Sequence, residues 1–344
     1  MNYNYLAKRT LQIIPVVLGI LVMSFLMIQL APGDVVFMFI GESGADPEFE
    51  AQIRKRLGLD KSVLEQLILY LKGVLTGDLG KSFVMNESVS KIIWDRALPT
   101  IILMSSSIIF GAVFGILIGV YAATKPYSLR DNVSMVIALF LYSLPNFWLG
   151  QMLIIVFSVN WGILPVSGME SMILGDKSFL MDRLTHLLLP TITLGSTLGA
   201  FVMRFVRASM IEALGQDYIL TAKSKGLSDG KIFFKHALKN ALLPVVTYIG
   251  LRLGYMLSGA VVIESVFGWP GLGLLMLDAL FERDYPLIMG LFIVISLSVT
   301  IITFIIDILY TYLVVQVFVE HLVIVVNKYL GFFKSNIKKN ETRS

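Results

Sequence analysis

Three histidines are the side chains best suited to acid–base or metal chemistry, and their placement favours neither. His186, His236 and His321 lie far apart, with no His-Glu-x-x-His pair among them. The chain contains no cysteine, which excludes disulfides and thiolate metal sites. It also lacks the Gly-x-x-x-x-Gly-Lys-Ser/Thr loop that cradles nucleotide phosphates. The sequence therefore predicts no catalytic residue, no metal site and no cofactor bound by this chain, and for His186 a structural role.

Arg252 is a charged residue near the middle of an otherwise apolar stretch. A lipid-facing arginine at the centre of a membrane would cost about 2.5–3.5 kcal/mol on insertion scales, so we expect this side chain to face the interior of a helix bundle. Two interpretations stay open. Arg252 lines a substrate path, where it would attract a carboxylate, or it forms a buried structural pair for which Asp307 is a candidate.

The run Trp269-Pro270-Gly271-Leu272-Gly273 combines a rigid proline with two flexible glycines. Non-helical backbone at membrane depth survives only inside protein or beside a water-filled cavity. The run therefore predicts a re-entrant turn at the outer mouth of a translocation path, with Trp269, Pro270, Gly271 and Gly273 as gate residues. A tight surface loop is the alternative.

Six long apolar stretches must position these residues. Hydrophobic residues make up 56% of the 344 residues and charged residues 15%, which leaves too few polar side chains to cover a soluble globule. Each stretch is long enough to cross a hydrocarbon core, which takes about 20 helical residues. The stretches are 11–31, 98–123, 133–158, 184–203, 241–263 and 286–315. The predicted fold is an all-α membrane protein with six transmembrane helices.

The distribution of basic residues predicts the orientation of these helices, because cytoplasmic loops collect Lys and Arg. Seven such residues lie within 204–239 and five within 328–343. The segments 159–183 and 264–285 together hold only three. We therefore predict a multi-pass protein of the cell membrane with both termini in the cytoplasm.

The predicted topology divides the chain into four parts. Residues 1–31 form the N-terminal end and the first transmembrane helix, and 32–97 form an extracytoplasmic helical subdomain. Residues 98–313 form the core of five helices, which includes a cytoplasmic loop at 207–240. Residues 314–344 form an apolar extension and a basic cytoplasmic tail, and the sequence assigns the extension no function.

The extracytoplasmic segment contains a helix signal. Asp60 is a candidate N-cap, and an apolar stripe follows it at helical spacing. The stripe consists of Val63, Leu64, Leu67, Ile68 and Leu71. Such a stripe predicts a small packed subdomain, which the turn Gly77-Asp78-Leu79-Gly80 ends.

The segment 204–240 is too polar for the membrane interior and too regular for a disordered loop. Asp217 is a candidate N-cap for a helix over 218–225, and Gly226 stands where a helix C-terminus commonly turns left-handed. Ser228 offers the cap of a second short helix. The sequence thus predicts two capped helices joined at a glycine.

We call residues 217–239 the knob. Its apolar side chains are expected to be exposed at Leu227, Ile232 and Phe233. Exposed apolar side chains on a cytoplasmic face predict a protein partner. Packing against the membrane surface or the ends of the transmembrane helices is the alternative.

Several stretches, in order along the chain, carry a resemblance to a known family. They are Ala31-Pro32-Gly33-Asp34, Leu57-Gly58-Leu59-Asp60, Gly77-Asp78-Leu79-Gly80-Lys81-Ser82, Gln216 through Leu227 with its continuation His236-Ala237-Leu238-Lys239-Asn240 to Leu243-Pro244, Gly259-Ala260 through Glu264 and Phe267 to Trp269-Pro270-Gly271-Leu272-Gly273, and Arg283-Asp284-Tyr285-Pro286. Together they resemble the B-type permease subunit of the dipeptide, oligopeptide and nickel group of ABC importers. The long segment 32–97 is similar to that of the B-type subunit and distinguishes it from the companion C-type subunit.

The resemblance implies a fold, a set of partners and a coupling site. The fold is that of a type I ABC importer permease. The partners are a C-type permease subunit, two ABC ATPase subunits that carry ATP and Mg, an extracytoplasmic substrate-binding protein and the lipid bilayer, with no nucleic acid. The coupling residues implied in the knob are Asp217, Tyr218, Ala222, Gly226, Leu227, Ile232, Phe233 and His236.

The cargo stays open within this resemblance. Di- and oligopeptides are the implied substrates, and oligosaccharides or nickel are the alternatives. A stand-alone secondary carrier or channel is an alternative of another class, which would predict inverted repeats and paired intramembrane acids that the sequence lacks. The apolar run 311–326 departs from the group, whose members usually end soon after a motif like Asp307-Ile308-Leu309-Tyr310.

Overall fold

Helices account for the regular structure of the described chain. The computed structural model describes residues 3–30, 60–171, 178–306 and 308. The helices are α1 (Tyr3–Gln29), α2 (Val63–Thr76), α3 (Val89–Ala123), α4 (Leu129–Ser143), α5 (Asn146–Leu153), α6 (Phe179–Leu214), α7 (Asp217–Ser224), α8 (Asp229–Lys231), α9 (Leu238–Phe267), α10 (Leu272–Glu282) and α11 (Tyr285–Ile306). The π-helical segments Ile154–Asn160 and Ile232–Ala237 directly continue α5 and α8. Within the described ranges the extended pairing is one isolated bridge between Lys81 and Ser88, so the all-α prediction is confirmed there.

Three helices, α3, α6 and α11, are each long and apolar enough to cross a membrane. Two bent pairs pass the same test: α4 with Asn146–Asn160, bent by 103°, and Ala260–Phe267 of α9 with α10, bent by 79°. The described residues thus give three to five spans by length and composition. Helix α1 contains the shorter apolar stretch Leu11–Leu26. Six spans therefore stay a prediction.

The predicted apolar span over 133–158 is broken into two helices. Helix α4 ends at Ser143 and α5 begins at Asn146, with Leu144 and Pro145 in extended backbone between them. Proline has no N–H for a helical hydrogen bond, and its ring disfavours helical backbone in the preceding residue. The apolar run therefore folds as two helices.

Helices α3 and α6 pack with their backbones in close approach. Gly111, Gly115 and Gly119 follow each other at four-residue spacing on one face of α3, and all three are buried. A Cβ atom at Gly115 would lie 2.7 Å from the carbonyl oxygen of Gly199 on α6. Small residues at this spacing permit close helix packing in membranes, where lipid tails remove the hydrophobic drive for association.

Helix α2 begins two residues later than predicted. Its N-cap is Ser62 and not Asp60, because Ser62 and Glu65 form a reciprocal capping box. The backbone N–H and the hydroxyl of Ser62 donate to the carboxylate of Glu65 and hold the pKa of that group below its usual value. Helix α2 ends at Gly77, which is left-handed with φ +77°, as the predicted turn requires.

The apolar stripe on α2 is largely exposed within the described residues, and the small packed subdomain stays a prediction. Val63, Leu64 and Ile68 are exposed, and α2 buries none of its side chains. Its contacts to α1 include the tilted ring pair of Phe25 and Tyr70, whose centroids are 5.8 Å apart. Residues 31–59, which form much of the predicted subdomain, lie outside the described part, as do residues 309–344 with the apolar extension and the basic tail.

Candidate functional site

The predicted knob and the predicted gate lie at opposite ends of α9. The knob ends where α9 begins, at Leu238, and the gate residues follow its last residue, Phe267. Glu264 lies 26 residues after Leu238, which at about 1.5 Å per residue separates the two by about 40 Å along the helix. One helix therefore connects the two groups of candidate residues.

Trp269 anchors the predicted gate to α3. Its side chain is fully buried, and its indole Nε1 donates to the carbonyl oxygen of Pro99 over 2.9 Å. Gly268 before it is left-handed with φ +56°, which turns the chain away from the axis of α9. The Trp269 backbone N–H donates to the carbonyl oxygen of Glu264 over 2.8 Å and closes that helix end.

A buried carboxylate, to which the sequence assigns no role, organises the predicted gate. Oε1 of Glu264 accepts from the Thr100 hydroxyl over 2.7 Å, and Oε2 accepts from the backbone N–H of Gly273 over 2.6 Å and of Leu274 over 3.1 Å. The Thr100 oxygen in turn accepts from the N–H of Leu272 over 2.8 Å. The first N–H groups of a helix have no partner within it and carry partial positive charge. Glu264 and Thr100 thus cap α10 from two other helices.

The two glycines of the gate make room for that carboxylate. A Cβ atom at Gly271 would overlap the carboxylate of Glu264, and one at Gly273 would lie 2.5 Å from the Cα of Val261. Both glycines are buried, as is Trp269. The predicted turn is therefore packed inside the bundle against α3, and the surface-loop alternative is wrong. Pro270 is half-buried between them.

We call Thr100, Glu264, Trp269, Gly271 and Gly273 the junction. A second buried carboxylate, Asp284, lies beyond it, between α10 and α11. It accepts from the Ser82 hydroxyl, from the N–H of Phe83 over 3.2 Å and from the N–H of Leu287 over 3.3 Å in the first turn of α11. Two of the stretches that carry the resemblance, 77–82 and 283–286, therefore meet at one carboxylate.

The backbone of the knob differs by one residue from the prediction at its first cap. The N-cap of α7 is Gln216, and Asp217 is the first helical residue, without a capping hydrogen bond from its side chain. Gly226 is left-handed with φ +72°, which confirms its predicted conformation. The Leu227 N–H donates to the Ala222 carbonyl over 3.3 Å and terminates α7. Ser228 is the N-cap residue of α8, as predicted.

The packing of the knob corrects the predicted exposure of its apolar residues. Ile232 is 2% exposed, so the prediction that it is exposed is wrong. It packs in the same buried cluster as Ile219, Ala222 and Met210 of α6. The π-helical segment that begins at Ile232 alters the ordinary helical repeat, so a 3.6-residue periodicity does not indicate the buried face there.

Of the remaining predicted knob residues, some are half-buried and others are exposed. Leu227, Phe233 and His236 are half-buried, and the first two pack against the same cluster. Asp217 and Tyr218 are exposed. Two side chains outside the predicted set, Leu220 at 61% and Phe234 at 63%, are the most exposed large apolar residues of the knob. They form the surface that we call the apolar tip.

Of two other predicted residues, the structure describes the side chain of His186 but not that of Arg252. His186 is buried on α6, where its Nδ1 lies 3.0 Å from the carbonyl oxygen of Asp182, in keeping with a structural role. Arg252 lies within α9, but its side chain is outside the described part of the structure, and so is Asp307. Both interpretations of Arg252 therefore stay predictions.

Comparison with known proteins identifies the family. Residues 115–318 match the family described as "Binding-protein-dependent transport system inner membrane component", and residues 2–105 match its N-terminal companion. The chain is 38% identical over 326 residues to the dipeptide transport system permease protein DppB of Escherichia coli strain K12, which covers 89% of this chain and 96% of the relative. It is 39% identical over 307 residues to the glutathione transport system permease protein GsiC of Salmonella choleraesuis. That match covers 89% of this chain and 96% of the relative.

Solved structures agree at the level of the fold. An inward-facing form of the MetNI methionine ABC transporter superposes with a TM-score of 0.51 at 19% identity, over 64% of this chain and 96% of that chain. A second amino acid ABC transporter, solved with histidines, superposes with a TM-score of 0.50 at 13% identity, over 65% of this chain and 94% of that chain. The chain belongs to the family of binding-protein-dependent transport system inner membrane components, as a permease subunit of the peptide ABC importer type.

Proposed function

We propose that this chain is the B-type permease subunit of an ATP-driven importer of di- or oligopeptides, and that it forms half of the translocation pathway. Three relatives support the cargo, because their names specify dipeptides, di- or tripeptides and glutathione. The proposed complex contains a C-type permease subunit, two ATPase subunits that bind ATP and Mg, and an extracytoplasmic binding protein.

The observation that carries the mechanism is the direct connection between knob and junction. Helix α9 starts at the knob and ends at Phe267, and the carboxylate of Glu264 in its last turn caps α10. A helix of this length is stiff compared with the loops at its ends, so a displacement of the knob moves the junction. In this mechanism the ATPase subunits push the knob, and α10 opens or closes the opposite mouth of the pathway.

The proposed orientation follows from that mechanism. ATP is hydrolysed in the cytoplasm, so the knob faces the cytoplasm and the junction faces outward. Both termini are then cytoplasmic, with α1 as the first of six transmembrane helices and the basic residues of the knob on the inner side.

Reconstitution of the whole complex tests this function. The purified permease pair with its ATPases is placed in vesicles, and uptake of a labelled dipeptide is measured with and without its loaded binding protein. We expect uptake that requires both ATP and the binding protein. Uptake of an oligosaccharide or of nickel in place of the peptide would contradict the proposed cargo, and uptake without ATP would contradict the mechanism.

The apolar tip is expected to carry the contact with the ATPase. Replacing exposed Phe234 with serine should weaken ATPase association by about tenfold or more, the effect typical of a hot-spot side chain, without loss of folded permease. Ile232→Ala is the matched control. It removes a buried side chain and should lower the stability of the subunit by about 2–5 kcal/mol. Pull-down of the ATPase and thermal unfolding of the permease separate the two effects, and equal ATPase association in Phe234→Ser and wild type would contradict the assignment.

Gly226 is expected to be required for the shape of the knob. A leucine there must adopt φ +72°, which costs on the order of 1 kcal/mol. A Cβ atom at Gly226 meets no neighbour within 4 Å, so the effect is backbone strain and added bulk on an exposed surface. We expect Gly226→Leu to insert normally but to hydrolyse ATP without matching uptake. Gly226→Asn tolerates the left-handed backbone and should retain most of the coupling. If the leucine variant couples as well as the asparagine variant, the strain has no role.

A further inference from the structure

We call the bent pair of α4 and Asn146–Asn160 the broken span. Both of its helical segments are attached to α6 by polar contacts. At the knob end, Nε and Nη2 of Arg207 donate to the two carboxylate oxygens of Asp131 on α4, the second over 2.7 Å. Beyond the bend, the Thr197 hydroxyl donates to Oδ1 of Asn146, the first residue of α5, over 2.6 Å. The bend of 103° lies between these two contacts. We call them the lower pin and the upper pin.

These pins are the polar part of an attachment that also includes apolar packing of Met135, Ala138 and Leu141 on α4 against α6. Helix α4 buries only Asp131 and Ala138, and α5 buries only Gly150. Apolar side chains gain little by leaving lipid for protein, since lipid tails are equally apolar. A bidentate hydrogen-bonded pair between a carboxylate and a guanidinium is, in contrast, among the strongest polar contacts in proteins. The lower pin is charged and bidentate, whereas the upper pin is a single neutral hydrogen bond.

The lower pin also fixes the loop between α3 and α4. Oδ2 of Asp131 accepts from the backbone N–H of Tyr127 over 2.7 Å, and Tyr127 is left-handed with φ +61°. The guanidinium carbon of Arg207 lies 5.8 Å from the centre of the Tyr127 ring. Asp131 is fully buried, and three N–H groups, two of Arg207 and one of Tyr127, donate to its carboxylate. The pin therefore holds α4, its preceding loop and α6 together.

The lower pin lies next to the knob along α6. Met210 is one turn after Arg207, is fully buried, and belongs to the same cluster as Ile219 and Ile232 of the knob. A displacement of the knob that carries this end of α6 must also carry Arg207. Through Asp131 it then moves α4, while α5 stays attached near the upper pin about 15 Å away along α6.

We propose that Asp131 and Arg207 are positioning residues that make α4 follow the knob, so that the α4–α5 bend changes as the knob moves. This inference rests on the proposed function, since it assumes that the ATPases displace the knob. Leu144 and Pro145 form the hinge, because their extended backbone already interrupts the helix. The pair acts on transport through α4 and does not contact the cargo.

The test compares Asp131→Asn with wild type in the reconstituted complex. Asparagine keeps the size of the side chain and one acceptor oxygen but removes the carboxylate charge that pairs with Arg207. We expect ATP hydrolysis with loaded binding protein to stay within about twofold of wild type. Peptide uptake per ATP should fall about tenfold, which is the size of effect expected when a hydrogen bond between charged groups is lost. Glu87→Gln is the control, because it removes the charge from an exposed pair with Lys91 and should leave both rates unchanged.

A distance measurement separates coupling from simple stability. Spin labels at exposed Val136 on α4 and Phe147 on α5 report the bend with and without ATP. We expect the distance to change in wild type and to stay fixed in Asp131→Asn. Unchanged uptake per ATP in Asp131→Asn would overturn this proposal and leave the proposed function standing. A wild-type complex without ATP-dependent uptake would instead overturn the proposed function. If Asp131→Asn does not assemble, Arg207→Lys takes its place, and failure of both to assemble would show that the pair is purely structural.

Discussion

Replacing Glu264 with alanine is expected to abolish assembly of a folded permease. The change leaves the N–H groups of Gly273 and Leu274 and the hydroxyl of Thr100 without their acceptor in a buried site. Each buried unsatisfied group costs about 1–3 kcal/mol, so the sum is on the order of 5 kcal/mol. That is comparable with the whole stability of many proteins. The yield of monodisperse subunit in detergent and its thermal midpoint measure the effect.

A matched control for this change lies at the other end of α10. Glu282 is exposed and is the last residue of that helix, so Glu282→Ala should change yield and midpoint little. Glu264→Gln should fall between the two, because it keeps one acceptor oxygen but turns an amide toward groups that already donate. If Glu264→Ala and Glu282→Ala behave alike, the junction does not stabilise the fold.

A double-mutant cycle tests the physical reason for Gly271. Gly271→Ala alone should be severe, because its Cβ would overlap the carboxylate of Glu264. In the Glu264→Ala background that carboxylate is absent, so the second change should add little further loss. Residues in direct contact are expected to depart from additivity in this way. Additive losses would contradict the steric explanation.

The sequence predicts local features of this chain well and distant pairings poorly. The left-handed Gly226 and the turn at Gly77 follow from residue type and position within a few residues. Glu264 and Asp284 stand inside stretches that the sequence analysis quoted, yet their roles were missed. Their partners Thr100 and Ser82 are 164 and 202 residues away, and no local pattern encodes such a pairing.

Two other differences have separate physical causes. Hydropathy alone predicts one span over 133–158, because Leu144 and Pro145 are as apolar as their neighbours, although their backbone breaks the helix. The pair of Asp131 and Arg207 was also missed. The two residues lie 76 positions apart in segments that charge counting treats only as cytoplasmic, although Asp131 is fully buried. The carboxylate there fixes a helix contact, which charge counts do not describe.

The glycine contact between α3 and α6 is expected to tolerate no side chain. A Cβ atom at Gly115 would lie 2.7 Å from the carbonyl oxygen of Gly199 and 2.7 Å from the Cβ of Val202. Neither neighbour can withdraw easily, since the first is backbone and the second is a branched side chain held at its Cβ. The helices must separate instead, and Gly111 and Gly119 on the same face would lose their close approach with them.

We therefore expect Gly115→Leu to prevent stable packing of α3 on α6. Overpacking by a few methylene groups typically costs about 1–3 kcal/mol, and a rigid backbone contact raises that cost. Gly115→Ala should show a smaller loss in the same direction. Gly19→Leu is the control, because Gly19 is also within a helix but a Cβ there meets nothing within 4 Å. The thermal midpoint and the yield of folded subunit compare the variants. If Gly115→Leu matches Gly19→Leu, the close approach of α3 and α6 does not determine the stability of the bundle.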